Sequence, residues 1–448
     1  MQGLTEDQLE SAAEMAIFDA EKLGAEEAEA FASSLRVLRV KLVNGRLGES
    51  SIFNEVGVGI RIVEEGAVGY SFTNSLTKKD ISDAVERAFH LCKSSRPDDP
   101  PASLPKSLGK SQIGDAYDPR IAKMNVESVA NLAKEISDGA EAGPDGACTS
   151  SESLAQSTEL IRAVDTAGAG IVTESTTLLQ GMARASRKDA PLLGWTEWGG
   201  IRVGVLEGSQ IGQTAAENCA LLGQLQPVES QFPLLLGRWA SHQLLGVIWR
   251  LFDGSWSSKP LLGERLGPDF LSVLDNPADP DALAGRGFDD EGLKTGPVHL
   301  IDGGMMVGYL TNFRWSRLLG VGPSASATRN ADRPFLSTPG IAPTNLTVRG
   351  NDMELEDMLE EAKGGVHVLG IRSATLNGNL LSFTVFPSFS IDKHGEDGSP
   401  LLPFDLSLDL RQLLSVIRGV EKRGTSYLGS SAPSILFASP KELDDPLS

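Results

Sequence analysis

Leu9, Ala13, Ala16, Ile17, Ala20 and Leu23 recur at helical spacing near the start of the chain. Thr5 stands before them with Gln8 three residues on, a capping-box spacing that satisfies free backbone donors, and Gly24 suits the left-handed turn that closes such a helix. The period then drops to two. Leu38, Val40 and Leu42 alternate with Arg39 and Lys41, which predicts a strand with one polar face. Asn44-Gly45 is a strong hairpin signal. Val56, Val58, Ile60 and Ile62 form the next strand, Glu64-Glu65-Gly66 turns the chain, and Val68, Tyr70 and Phe72 form another. Thr77 with Asp80 caps a second helix carrying Ile81, Ala84, Val85, Ala88 and Phe89.

Residues 96–114 break both periods: Pro97, Pro100, Pro101 and Pro105, set among Ser, Lys and Asp, read as a linker. Beyond it the pattern recurs. Val126, Val129, Leu132, Ala133 and Ile136 mark a helix, strand-like segments run from about Cys148 to Val203, and a helix covers about Ser209 to Leu222. A duplication of the first unit is one reading of that recurrence. Gln226-Pro227 is the expected domain boundary. After it, Pro233-Leu234-Leu235-Leu236 reads as a short buried strand and about Arg238 to Phe252 as a helix. Turn signals then crowd the chain, as in Ile301-Asp302-Gly303-Gly304-Met305 and Asp392-Lys393-His394-Gly395, and one late helix is expected from Leu406 to Val420. The predicted class is α+β. An N-terminal domain of helices and antiparallel meander covers 1–226, with sub-units of about 1–95 and 115–226, and a strand-rich domain with few helices covers 227–448.

Composition narrows the setting without changing that outline. A chain of 448 residues suffices for two or three domains with ordinary cores. The net charge of −20, from 40 basic and 60 acidic side chains, repels a phosphate backbone, and the basic residues are scattered, so direct nucleic-acid binding is not expected. No stretch approaches the roughly 20 apolar residues that span a bilayer, so no membrane partner is expected. Cys92, Cys148 and Cys219 are far apart and odd in number, which is no disulfide framework. With a polar, acidic start that lacks the basic flank and apolar run of a signal peptide, they predict a reducing cytoplasm.

Candidate chemistry gathers in a few segments. Gly287-Phe288-Asp289-Asp290-Glu291-Gly292 is followed by the Ile301–Gly304 hairpin and the Leu310–Leu319 segment, then by Pro343-Thr344-Asn345-Leu346 with Gly350 beyond. Their order and spacing resemble the F-D-x-E-G and P-T-N blocks of the TldD/PmbA metallopeptidase family. The resemblance extends to the first helix and meander, so it covers nearly the whole chain and is strongest between about 235 and 350. Catalytic members carry an H-E-x-x-x-H helix and a cysteine near the C-terminus. Two imidazoles and a thiolate hold zinc and leave a place for water, whose proton the glutamate accepts during attack on the peptide carbonyl. The segment His242–Val247 matches that helix, upstream of Leu266-Gly267, another family landmark. His242 keeps the first ligand position. Gln243 stands for the glutamate and is no base, Val247 stands for the second histidine and has no donor atom, and the last cysteine, Cys219, precedes the motif. The resemblance therefore implies no catalytic residue and no metal ligand set in this chain.

Such degeneracy resembles the PmbA branch, also called TldE. The resemblance implies a chain without a cofactor of its own that pairs with a zinc-bearing, TldD-like catalytic chain, the heterodimer degrading or trimming unfolded peptides. The family's other name, modulator of DNA gyrase, comes from such indirect roles. An extended peptide substrate is expected, of the kind commonly held by strand-edge pairing. Two rival readings stand beside this one: a self-sufficient hydrolase using a non-zinc nucleophile such as serine, and a homodimeric peptide-binding or scaffold protein.

The remaining features read as structure. His242 reads as a surface or core histidine inherited from an ancestral site. Asp289-Asp290-Glu291 is expected to fix a turn and face solvent rather than to form an acid/base pair. His299 and His367 read as packing residues in apolar strands, and His394 as a turn residue. Gly57-Val58-Gly59 lacks the following helix of a dinucleotide site and reads as a strand glycine pair. Gly424–Gly429 misses the nucleophile-elbow spacing by one residue and reads as a loop. Trp195, Trp198, Trp249, Trp256 and Trp315 line a groove or pack at an interface, and the sequence leaves both open. Asn377–Phe383 matches the family's T-G-x-F-S stretch only in part, which implies an altered or narrower channel.

Overall fold

In the computed structural model, residues 4–144, 148–187, 193–228 and 233–438 are described. The Thr5 hydroxyl accepts from the Gln8 N–H while the Gln8 side chain accepts from the Thr5 N–H, and helix α1 (Glu6–Lys22) follows from that reciprocal cap. Strands β1 (Glu27–Val43), β2 (Arg46–Glu64) and β3 (Ala67–Thr73) then form a meander. Asn44 and Gly45 both take positive φ, 49° and 69°, as the two-residue hairpin between β1 and β2 requires. Helix α2 (Lys78–Ser94) is capped by Thr77. After the connector come the short α3 (Pro119–Ala122), then α4 (Val126–Glu141), β4 (Cys148–Thr166), β5 (Gly170–Arg187), β6 (Gly194–Ile201) and α5 (Gly208–Leu221). The order helix, three strands, helix thus occurs on both sides of the connector, and all six strands join in one antiparallel sheet, ordered β3-β2-β1-β4-β5-β6.

The two faces of this sheet are used differently. Ala28, Ala30 and Ala32 of β1 pack under α1 and α2, and Leu38, Val40 and Leu42 of the same face pack under α4 and α5. Alternate positions face the other way. There Glu29 lies beside Arg61, Phe31 beside Gly59 and Val164, and Ser33 beside Gly57 and Arg162. This second face receives the C-terminal half of the chain. Gly57 and Gly59 are strand glycines, as expected, and they leave room for it: a Cβ at Gly57 would sit 2.6 Å from the Phe335 ring. The connector also lies along this seam, with the Gly109 N–H donating to Gly292 O and the Ser111 N–H to Gly287 O.

In the C-terminal half, strand β7 (Leu234–Leu236) is buried and sits inside a six-stranded sheet between strands Val366–Val368 and Ile435–Phe437. Helix α6 (Arg238–Ile248) follows it. Helix α7 (Phe313–Leu319) is short and capped by Asn312, and the remainder is mostly strand, so the class is α+β as read from the sequence. The hairpins at Asp302-Gly303-Gly304 and Asp392–Gly395 form where the turn signals lie.

Four expectations need correction. The late helix at 406–420 is replaced by strand Phe404–Asp409, a single turn Leu410–Leu413 and strand Ile417–Val420. The alternation Phe404, Leu406, Leu408 has a period of two and pairs with Leu380–Val385, while Asp409 caps the turn through the Arg411 N–H. Gly424–Gly429 is a hairpin between Thr425–Tyr427 and Ser430–Ala432 rather than a plain loop. His299 is exposed on strand Val298–Asp302, where Leu300 and Ile301 are the buried residues and the register to the neighbouring strand shifts. His367 is buried as expected, with Nδ1 2.9 Å from Asp397. Cys219, buried on α5, is disulfide-bonded, whereas Cys92 is a free buried thiol, so the cysteine count alone does not argue for a reducing compartment. Among the described residues no helix is long and apolar enough to cross a membrane.

Candidate functional site

Helix α6 carries His242, Gln243 and Val247. Its Ala240, Ser241, Leu244, Leu245 and Ile248 are buried, which leaves His242 and Gln243 half-buried beside the neighbouring strands. The His242 Nδ1 lies 2.8 Å from the Ser430 hydroxyl, and its ring stacks on Tyr427 with centroids 4.7 Å apart. Trp239, one turn earlier, touches both rings at 5.1 Å and stacks on Trp198 of β6 at 6.4 Å. Burial among these rings pushes the His242 imidazole down to about 4, so it is neutral near pH 7. The same burial, with the nearby Glu197 carboxylate, pushes the Tyr427 phenol up to about 12.

Gln243 is held at both ends of its amide. Its Nε2 donates to Ile371 O at 2.7 Å and its Oε1 accepts from the Ile371 N–H at 2.7 Å. A glutamate has no donor for the first of these bonds. Val247 packs against the large C-terminal core. The residues at the three motif positions therefore do not fit zinc: one nitrogen of the lone imidazole is bonded to a hydroxyl, both ends of the amide are bonded to backbone, and the valine has no donor. Among the described residues, no group of three or more His, Cys, Asp or Glu side chains is arranged to hold a metal.

The acidic turn is a second and different centre. Expected to face solvent, Asp289, Asp290 and Glu291 are instead buried, at 0%, 6% and 1% exposure. Strands of the large sheet supply what a buried carboxylate needs. Arg162 of β4 bridges Asp290 at 2.7 Å and Glu174 at 2.7 Å. Arg61 of β2 bridges Glu291 at 2.9 Å and Glu29 at 2.5 Å, and Arg329 also reaches Glu29 at 2.5 Å. Glu291 accepts as well from the Phe313 N–H at the start of α7. Burial works to raise the Asp290 carboxyl, but Arg162, Arg286 and Arg329 outweigh it and hold the group below the usual carboxylate range. Asp289 faces no such cluster. It accepts from the backbone N–H groups of Glu291, Leu293 and Ala327, and burial beside the Glu291 charge pushes its carboxyl up.

Phe288 packs on Phe31 and Val164 with the Arg162 guanidinium 4.8 Å from its ring centroid, and Gly292 takes the positive φ of 76° that ends the turn. Asn345 is buried near Asp275, which accepts from its backbone N–H at 2.6 Å. The turn and α6 share no partner among the described residues, so the structure divides the motif residues between two places.

Sequence reasoning missed Trp239, Tyr427 and Ser430 around His242, and Glu29, Arg61, Arg162 and Arg329 around the turn. Only the last set left a trace: Glu29 and Arg162 are charges inside otherwise small or apolar strand stretches, Ala28 to Ala32 and Leu160 to Val164. Of the tryptophans, Trp198 packs across the seam onto Trp239, Trp249 and Trp256 lie against the core, and Trp195 belongs both to a small apolar cluster and to a cleft.

Two family models match the chain: "PmbA/TldA metallopeptidase domain 1" over residues 28–92 and "PmbA/TldA metallopeptidase C-terminal domain" over residues 229–441. A metalloprotease of Methanothermobacter thermautotrophicus is 22% identical over 430 residues, which are 92% of each chain. The crystal structure of TldE from Thermococcus kodakarensis superposes with a TM-score of 0.83 at 19% identity, covering 96% of this chain and 99% of that one. A Thermotoga maritima protein provisionally described as a modulator of a DNA gyrase gives 0.81 at 20% identity, covering 96% and 99%. At these identities the structural likenesses speak to the fold alone.

Proposed function

The chain belongs to the TldD/PmbA metallopeptidase family, and from that premise we propose that it is the non-catalytic, TldE-like subunit of a cytoplasmic zinc metallopeptidase complex that degrades or trims unfolded peptides. Its partner in this reading is a TldD-type chain with an intact H-E-x-x-x-H helix, which carries the zinc. One observation bears most of the weight: the amide of Gln243, at the position of the general base, is bonded on both sides to Ile371, so it neither accepts a proton nor stands free to bind metal. The neutral His242 beside Ser430 is consistent with the same assignment, and so is the name of the Thermococcus protein. The chain would then form half of a chamber that restricts access and helps hold an extended substrate.

The test is metal content and peptidase activity of this chain alone and mixed with its host's TldD-type chain. No stoichiometric zinc and no cleavage are expected alone, with both present in the mixture. Chelator-sensitive cleavage by the isolated chain overturns the reading. Cleavage that survives chelator but is lost to a serine-directed reagent favours a self-sufficient hydrolase, and activity of the catalytic chain unchanged by this one favours a homodimer without a peptidase partner.

A further inference from the structure

A cleft of about 400 Å³ opens beside α6, where the edge of the large sheet meets the C-terminal half. Trp195 and Thr196 of β6 and Trp239 and Gln243 of α6 form part of its wall. It also holds Arg184 of β5 and Arg372 of strand Ile371–Asn377. Neither guanidinium has a hydrogen-bond or ion-pair partner among the described residues. The arginines of the seam behave otherwise: Arg61, Arg162 and Arg329 are each bound to carboxylates. In a chain with 60 acidic and 40 basic side chains, two unpaired arginines in one concavity mean that the local acids are engaged elsewhere. That is the case. Glu152, across the sheet from Arg184, is bonded to Lys41 at 3.1 Å, and Glu197 accepts from the Trp195 indole at 3.1 Å.

The cleft is also held in shape. The two hydrogen bonds between the Gln243 amide and Ile371 pin the start of the strand that carries Arg372, so the residue in the place of the catalytic base positions a cation instead. Trp195 and Trp239 give the walls apolar surface, and charge pairing is stronger beside surface of low dielectric than in open water. Among the described residues β6 is the edge strand of its sheet. The bond from the Arg187 N–H to Leu193 O sets the phase of the ladder, so Gly194 and Thr196 turn their own N–H and C=O groups away from β5. An added strand would find those groups unpaired.

We infer that this cleft binds a carboxylate of an extended peptide, with Arg184 and Arg372 as the counter-charges and the outer edge of β6 pairing with the peptide backbone. Arginine suits this task because its planar fork matches the two carboxylate oxygens. The inference deepens the reading above and takes from it only that the occupant is a peptide.

The experiment uses the purified full chain without partner or metal, followed by tryptophan fluorescence. The probes are Ala-Ala-Val-Leu with a free C-terminus, the same peptide as its C-terminal amide, and Ala-Ala-Glu-Leu amide. The free acid is expected to bind about tenfold or more tighter than its amide, the size of one charge-assisted bond. Arg184→Gln and Arg372→Gln should each remove most of that preference while leaving the thermal midpoint unchanged, since neither side chain holds a partner among the described residues. Ala-Ala-Glu-Leu amide then identifies the source: binding like the free acid admits an acidic side chain, and binding like the amide restricts the site to a chain terminus. Equal or absent binding of acid and amide overturns the inference, as does a preference that survives both substitutions together. Because no partner is present, that failure leaves the subunit reading standing, which metal content and cleavage of the mixture decide separately.

Discussion

The acidic turn and helix α6 are both short segments with family-like letters, and they have met opposite fates. In the turn the carboxylates are buried, and two of them meet cations from far along the chain: Arg61 and Glu291 are 230 residues apart, and Arg162 and Asp290 are 128 apart. In α6 position 243 holds an amide that is satisfied by the N–H and C=O of one residue, Ile371. A buried charge needs a counter-charge, and where the fold supplies one the charge becomes part of the seam between the two halves. At position 243 the side chain is a neutral amide. A neutral amide needs hydrogen-bond partners but no counter-charge.

The comparison breaks most severely if one cation of the seam is removed. Arg162→Ala leaves Asp290 and Glu174 buried without their common partner, and a loss of about 3–5 kcal/mol is expected in urea unfolding, with the two halves separating. A loss below about 1 kcal/mol would mean that water already screens the turn.

Much of the outline was legible from the first residues: capping residues, Asn-Gly turns and periods of two or more place α1, the meander and α2 without help from tertiary contacts. Where the sequence misleads, the cause is tertiary. The first half of β1, Glu27 to Arg36, is rich in Ala, Ser and Glu and shows no apolar alternation, because helices cover one face and a buried ion network covers the other. Asp289-Asp290-Glu291 reads as a solvated turn for the same reason: the cations that meet Asp290 and Glu291 include Arg162 of β4 and Arg61 of β2, and nothing local announces them. At α6 the letters alone show that Val247 offers no donor atom and Gln243 no base, since a missing donor atom is a local fact. What took its place, the Ile371 clamp and the ring stack of Trp239 and Tyr427, is again not local.

Restoring the acid at α6 alone sharpens the contrast. Gln243→Glu sets a carboxylate against the Ile371 carbonyl oxygen and removes the donor that now reaches it. Without a counter-charge this should cost roughly 2–3 kcal/mol, read as a lowered denaturant midpoint at unchanged slope. Gln243→Ala, which adds no charge, should cost less. If Gln243→Glu is neutral, a cation or water already compensates the site, and the contrast with the turn loses its physical basis.

The smallest effect is a pH dependence that belongs to α6. The folded His242 titrates at about 4, below its ordinary 6.5, so on acidification the unfolded chain binds the proton first. The contribution to stability is complete above about pH 6.5 and is lost progressively as the pH falls toward about 4. Because the half-buried ring keeps some contact with water, the loss should amount to roughly 1–2 kcal/mol rather than the full value of the shift. Tyr427, pushed up to about 12, stays neutral throughout this window and adds nothing. His242→Phe keeps an aromatic ring in the stack but has no proton to take up. Urea unfolding of both proteins at about pH 7 and about pH 5 cancels every other titrating group, including the carboxylates of the seam. The native chain should lose more stability between the two than the variant does. Equal losses would mean that the imidazole is hydrated, and the ring stack around α6 would then not be the dry counterpart of the charged seam.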